Sequence, residues 1–286
     1  MPGLPGSVKR YNLGLSGVRG SMDHAWQDWI QRSLDMGCSR DELRAILEQS
    51  NFSAEDIATH LDQRTAKPGL QSIYGLDHEA LTRVNITQVA TRVETDMAQL
   101  YTLDNFLSAE ECEVFLALSS ERLYDSKVGT GYTTNRRSSR SSDLHTHRHP
   151  LIPVVDARIA KTLGINTAYA ELMQIQRYEV GQEFQYHHDY FTPGTEPFEK
   201  HAMHSGNRTW TFMIYLNDVA SGGGTEFTKL GMRFQPKAGQ ALIWNNLYKT
   251  GAPNPNTEHA GLPVEEGYKV IITKWFRERC TLPMFI

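Results

Sequence analysis

The second half of the chain is a succession of short strand-like runs, and that pattern limits the fold more than any other feature. "ELMQIQRYEV", "EFQYHHDYF", "RTWTFMIYLN", "GTEFTKL", "MRFQPK", "QALIWNNL" and "GYKVIITKWFRE" follow one another, with glycine and asparagine between them. β-Branched and aromatic residues suit a pleated, half-buried surface, and Gly and Asn turn a chain tightly. Helical stretches precede these strands instead of alternating with them. "SAEECEVFLALSSERL" opens on Ser108 with Glu111 three residues on, a capping box. A second helix is expected over 153–163, stopped by Gly164. Helices first, then many strands, argue for an antiparallel barrel or sandwich flanked by helices. The expected class is α+β, mainly β.

Upstream, residues 22–64 read as a small module of three short helices. Trp26, Ile30 and Leu34 recur every four residues and form one apolar stripe. Ser39 with Glu42, and Ser53 with Asp56, are helix-start signals. Three helices of this size bury little surface, so the module is read as packing on the main domain or docking a partner. Residues 1–21, rich in Gly and Pro, read as a disordered leader, and 65–96 as a connector broken by Pro68 and Gly69. Residues 97–286 form the main domain, opening on the strand-like "AQLYTLDNFL". Inside it, 125–150 is a long polar loop. Its Arg136, Arg137 and Arg140 read as a solvated lid, and His145, His147 and His149 as exposed loop residues.

The charge balance narrows the partners. A net charge of -4 gives no surface-wide footprint for nucleic acid, and no apolar run is long enough to span a bilayer. The three cysteines, Cys38, Cys112 and Cys280, are far apart and odd in number, which fits free thiols in a reducing cytoplasm.

Chemistry concentrates in "EFQYHHDYF". On a strand, His187 and Asp189 are two apart and share a face, while His188 points to the other and bonds locally. One imidazole and one carboxylate leave a metal under-coordinated. The best third ligand is His259, in "TEHAGLPVEEGYKVIITKWFRE". Two His and one carboxylate with open positions is the ligand set of non-haem Fe(II) oxygenases. Ten residues beyond His259, Lys269 starts a strand, and a cation at the base of a barrel suits the far carboxylate of a metal-chelating dicarboxylate.

Taken together, "RYEVGQEFQYHHDYF", "NRTWTFMIYLNDVASGGGTEF" and "HAGLPVEEGYKVIITKWFRE" resemble the catalytic domain of prolyl 4-hydroxylases of the bacterial type. These are Fe(II)- and 2-oxoglutarate-dependent dioxygenases on a double-stranded β-helix, or jelly roll. The resemblance spans about residues 97–280, and its ordered H-x-D, H-A-G and G-x-K elements are specific. It implies iron on His187, Asp189 and His259, and the distal 2-oxoglutarate carboxylate on Lys269. It implies further that Tyr178 and Thr225 hydrogen-bond the cosubstrate, and that Arg208 and Trp275 face a peptide substrate. Three positions depart from the family pattern. Phe184 stands where a tyrosine is frequent, Arg277 where a histidine is common, and "GGGT" replaces G-G-E-T.

The implied reaction consumes O2 and 2-oxoglutarate, releases succinate and CO2, and hydroxylates a proline in a protein or peptide, with ascorbate as reductant. Two other readings stand beside it: the same chemistry on a free amino acid or other small molecule, and a catalytically inert binding or scaffold protein.

Overall fold

The computed structural model describes residues 22, 24–35, 40–49, 51–65, 84–121, 124–125, 138–202 and 205–279. The leader, most of the connector, Ser39, Cys38, Cys280, Arg136 and Arg137 lie outside the described residues. The chain divides into two compact units, drawn mainly from residues 1–72 and 73–281.

In the first unit, helices His24–Asp35, Arg40–Gln49 and Ala54–Ile57 are present, the last running into a wide turn over Ala58–Asp62. The stripe Trp26, Ile30 and Leu34 is buried, and Leu43, Leu47, Ile57 and Leu61 complete a small core. Trp26 meets Phe52 edge-on at 5.0 Å between ring centroids. The Ser53 hydroxyl accepts from the Asp56 amide at 3.0 Å, the N-cap read from the sequence. The Arg40 guanidinium donates to the carbonyls of Leu61 and Arg64, tying the second helix to the chain after the third.

The second unit is built on antiparallel sheet. The larger sheet runs β1 (Thr91–Arg92), β2 (Leu100–Leu103), β11 (Ala241–Asn245), β7 (Arg208–Tyr215), β14 (Lys269–Arg277), β5 (Gln174–Tyr178), β4 (Arg140–Asp143) and β3 (Tyr124–Asp125). The smaller one runs β10 (Met232–Phe234), β9 (Thr225–Phe227), β12 (His259–Gly261) and β6 (Phe184–His187). A third pair joins β13 (Val264–Glu266) to β8 (Ser221–Gly222). Leu100, Tyr178, Met213, Tyr215, Leu242, Trp244 and Ile271 from the large sheet pack against Phe227 and Val264, making one apolar core between the sheets. This is the jelly-roll core flanked by helices.

Strand alternation explains which residues line that core. On β7, Thr209, Thr211, Met213 and Tyr215 share one face, and β11 sends Leu242 and Trp244 to the same interior. The other face of β7 packs outward, Phe212 meeting Phe106 at 4.8 Å and Trp210 meeting Tyr101 at 6.2 Å. Helix Ala109–Glu121 carries the expected capping box, Glu111 N to Ser108 Oγ at 3.2 Å and Ser108 N to Glu111 Oε2 at 3.1 Å. Helix Leu151–Leu163 ends at Gly164, left-handed at φ 73°.

Two features depart from the sequence reading. Arg140–Asp143, assigned to the polar loop, is strand β4 paired with β5. Its residues, R-S-S-D, carry no β-forming signal, so the pairing rests on the neighbouring strand. The sheet also begins inside the stretch read as connector, since Thr91 and Arg92 pair with Thr102 and Tyr101. Among the described residues no helix is long and apolar enough to cross a membrane.

Candidate functional site

β6 and β12 bring the first and third candidate ligands side by side, because His187 pairs directly with His259. Asp189 lies two residues past the end of β6. Ligand atoms of His187, Asp189 and His259 all lie within 4.8 Å of one another. His187 Nε2 is 3.7 Å from Asp189 Oδ1, and His259 Nε2 is 4.0 Å from Asp189 Oδ2.

Each histidine has its other nitrogen committed. His187 Nδ1 lies 2.8 Å from the Gln185 carbonyl and His259 Nδ1 lies 2.9 Å from the Thr257 carbonyl. A carbonyl only accepts, so each Nδ1 carries a proton, and Nε2 is the nitrogen left to face a metal. Burial alone raises the Asp189 pKa, but His259, His187, Arg208 and the Thr211 hydroxyl together hold it below the usual carboxylate range. The carboxylate is thus anionic and buried at 6% exposure. Two imidazoles and one carboxylate grouped in this way fit a divalent metal of the iron type.

His188 takes no part in this cluster. Its Nε2 lies 3.3 Å from the Pro255 carbonyl and its ring leans on Tyr190, while burial lowers its pKa.

Behind the cluster lies Lys269, 1% exposed. Its Nζ donates to the Gly223 carbonyl at 2.8 Å and sits 4.6 Å from the centre of the Tyr178 ring. Desolvation alone depresses its pKa to about 7, with no acidic side chain among the described residues to offset it. Gly261 faces it, and a Cβ there would stand 3.2 Å from Nζ, so the missing side chain leaves room at the ammonium. Gly222 and Gly223 hold φ of +73° and +68°, and a Cβ on Gly222 would come within 2.4 Å of the Pro263 carbonyl. That turn, the departure "GGGT", is what brings the Gly223 carbonyl to Lys269. A buried ammonium with space before it and no counter-charge fits the carboxylate of a small ligand.

Tyr178, whose ring faces Lys269, and Thr225, paired with Gly261, are already bonded within the chain. Tyr178 donates its hydroxyl to Gln176 Oε1 at 2.9 Å, and Thr225 Oγ1 receives the Tyr215 hydroxyl at 2.7 Å. Burial pushes the Tyr215 phenol far above its ordinary range, so it stays a neutral donor.

Arg208 and Trp275 form a separate wall. The Arg208 guanidinium stacks 3.9 Å from the Trp275 ring centre and grips Glu171 through Nε and Nη2, at 2.6 and 2.7 Å. Arg277 Nε lies 2.6 Å from the same carboxylate, and its Nη1 donates to the Gly206 carbonyl at 2.8 Å. Both guanidinium groups lie near the Phe191 ring, which also stacks with His201 at 5.5 Å. The His201 ring is therefore packed. Trp275 Nε1 and His201 Nε2 are buried without a hydrogen-bond partner among the described residues.

Glu171, Thr211 and Asn246 escaped the sequence reading. Their signal was faint: a carboxylate in an apolar strand-like run, threonines alternating with aromatics in "RTWTF", and a paired Asn closing "LIWNN". Each acquires meaning only from a partner far along the chain.

The chain is similar to known proteins over this region. The family model described as the 2OG-Fe(II) oxygenase superfamily matches residues 173–277. The chain is 33% identical over 191 residues to prolyl 4-hydroxylase subunit alpha-2 of Gallus gallus, covering 65% of this chain and 35% of that protein. It is 31% identical over 183 residues to a putative prolyl 4-hydroxylase of Acanthamoeba polyphaga mimivirus, covering 63% of this chain and 74% of that protein. The chain thus spans about a third of the length of the animal relative. A solved structure, the viral collagen prolyl hydroxylase of Paramecium Bursaria Chlorella virus-1 in its 2OG complex, is 26% identical with a TM-score of 0.49, covering 62% of this chain and 95% of that one.

Proposed function

The chain belongs to the prolyl 4-hydroxylase family of 2OG-Fe(II) oxygenases, and from that premise we propose that it hydroxylates a prolyl residue in a protein or peptide. The observation that carries this reading is Lys269, a buried ammonium with no acidic partner among the described residues, in the barrel that also holds a His–Asp–His cluster. Iron and 2-oxoglutarate bound there supply the activation of O2 and the oxidative decarboxylation that yields succinate and CO2.

The remaining work falls to the chain's own side chains. His187 and His259 offer Nε2, and Asp189 a carboxylate oxygen, on one side of the metal. Lys269 neutralises the far carboxylate of 2-oxoglutarate, with Tyr178 and Thr225 lining the chamber. The apolar wall of Phe184, Phe227, Trp244 and Ile271 keeps bulk water out. Arg208 and Trp275, stacked on each other, bind the peptide.

Residues 97–286 are the catalytic domain in this reading, and 22–64 a module that docks a partner or packs on that domain. The buried free thiol of Cys112 is in keeping with a cytoplasmic setting, where ascorbate keeps the iron ferrous. The test is to incubate iron-loaded protein with 2-oxoglutarate, ascorbate and host lysate. Succinate release and peptides that gain one oxygen on proline are expected. No 2-oxoglutarate turnover, together with unchanged iron binding in His187→Ala, would overturn the reading.

A further inference from the structure

A buried line of hydrogen bonds ends on Asp189. Trp244 Nε1 donates to Asn246 Oδ1 at 2.9 Å. Asn246 Nδ2 donates to Thr211 Oγ1 at 2.9 Å, and Thr211 Oγ1 donates to Asp189 Oδ2 at 2.7 Å. Trp244, Asn246 and Thr211 are at most 1% exposed.

The direction of every proton in this line follows from its ends. An indole N–H only donates, so the Asn246 oxygen must face Trp244 and its amide nitrogen must face Thr211. Thr211 therefore receives one hydrogen and has its own to give. The ionised carboxylate can only accept it. Asn246 is held in place by its backbone, its amide donating to the Thr209 carbonyl at 2.7 Å. The Trp244 ring meets the His259 ring edge-on at 4.8 Å, so one side chain supports both ligands.

We propose that Thr211 is a positioning residue, oriented by Asn246 and Trp244, that occupies Asp189 Oδ2 and presents Oδ1 as the single ligand oxygen. The inference rests on the metal-centre reading above. Oδ1 lies 3.7 Å from His187 Nε2, whereas Oδ2, 4.0 Å from His259 Nε2, already holds the Thr211 hydrogen bond at 2.7 Å. A carboxylate bound through both oxygens would consume a position that the cosubstrate or O2 needs. A carboxylate with one oxygen already bonded leaves that position open.

The test uses Co(II) as probe in the full chain, read by calorimetry and by its visible absorption. Thr211→Val keeps the shape and removes the hydroxyl. Its Co(II) affinity is expected to fall by about 10–100-fold, with a changed spectrum, while Thr211→Ser retains wild-type affinity and spectrum. Wild-type behaviour of Thr211→Val, or an equal loss in Thr211→Ser, overturns the inference. Should Thr211→Val not fold, Trp244→Phe decides. It keeps the ring against His259 and removes only the first donor, and an unchanged Co(II) spectrum there overturns the inference too. If wild type itself binds no Co(II), the metal-centre reading has failed. If wild type binds and the variants match it, only the positioning role is lost.

Discussion

The Phe184 ring lies stacked on His187, with centroids 3.6 Å apart and planes 17° from parallel. Residues three apart on a regular strand point to opposite faces. They meet here because β6 carries an extra residue: His187 pairs with His259 while Phe184 pairs with Gly261, three steps against two. The bulge turns Phe184 toward the interior, where it packs on the core beside Gly261. Phe184 thus links the two halves of the site, the metal cluster on one side and the Lys269 chamber on the other.

The stack predicts a role for Phe184 in metal affinity. An aromatic pair of this kind is worth about 1 kcal/mol beyond its area, or roughly fivefold in a binding constant. Phe184→Ala is expected to weaken metal binding by about that factor, because His187 loses the surface that fixes its ring. Phe184→Tyr, which restores the side chain frequent in the family, should bind metal as wild type does. Titration with Co(II) separates the two variants, and equal affinities would remove any role for the stack.

Lys269 gives a prediction with a sign. Its folded pKa is depressed from 10.5 to about 7 by burial. Between those values the unfolded chain holds a proton that the folded chain lacks, so this residue makes stability rise with pH across that window. Below pH 7 the penalty of the buried charge is fully present. Lys269→Met removes it, so the variant's Tm advantage should be largest below pH 7 and shrink toward pH 10. The same variant should lose 2-oxoglutarate binding altogether. Above pH 7 the wild type must take up a proton at Lys269 to pair with the ligand. Calorimetry in buffers of different ionisation enthalpy would register that uptake.

How much of this was legible in the sequence depends on whether the signal was local. The ligand cluster, Lys269, the capping box at Ser108 and the stop at Gly164 each rest on close spacing or on one residue's chemistry, and each was read directly. Strand alternation placed His187 and Asp189 on one face, and the two lie close together although Asp189 is past the strand's end. Strand β4 was not legible because pairing with β5, not composition, makes it a strand. Nor was the inward turn of Phe184, since a bulge shifts the phase on which alternation depends. The bonds of Glu171 to Arg208 and of Thr211 to Asp189 join residues 37 and 22 positions apart, which no local pattern encodes.

Gly261 tests whether the space before Lys269 is the cosubstrate's. An added Cβ would stand 3.2 Å from Nζ, the mobile end of a long side chain, so the fold should absorb it. The carboxylate of 2-oxoglutarate has no such freedom. Gly261→Ala is expected to raise the KM for 2-oxoglutarate roughly tenfold, about 1.4 kcal/mol, with Tm close to wild type. A large fall in Tm with unchanged KM would show instead that the glycine serves packing.

Glu171 should separate peptide binding from cosubstrate turnover. Its carboxylate accepts from Arg208 Nε and Nη2 and lies 2.6 Å from Arg277 Nε, all three groups largely buried. Burial alone would raise its pKa, but Arg208 and then Arg277 hold it below the usual carboxylate range. Its contribution to stability is therefore present above the unfolded pKa and lost as pH falls through the lower folded value. Glu171→Gln leaves two guanidinium groups without their shared anion, at a cost of about 3–5 kcal/mol. Its Tm should fall at neutral pH and differ less from wild type in acid. Arg208, released from its clamp, loses its fixed pose over Trp275. Peptide KM should then rise while 2-oxoglutarate turnover without peptide stays near wild type, because Glu171 bonds none of the three metal-ligand side chains. An equal loss in both rates would place the residue's influence at the metal instead of the peptide wall.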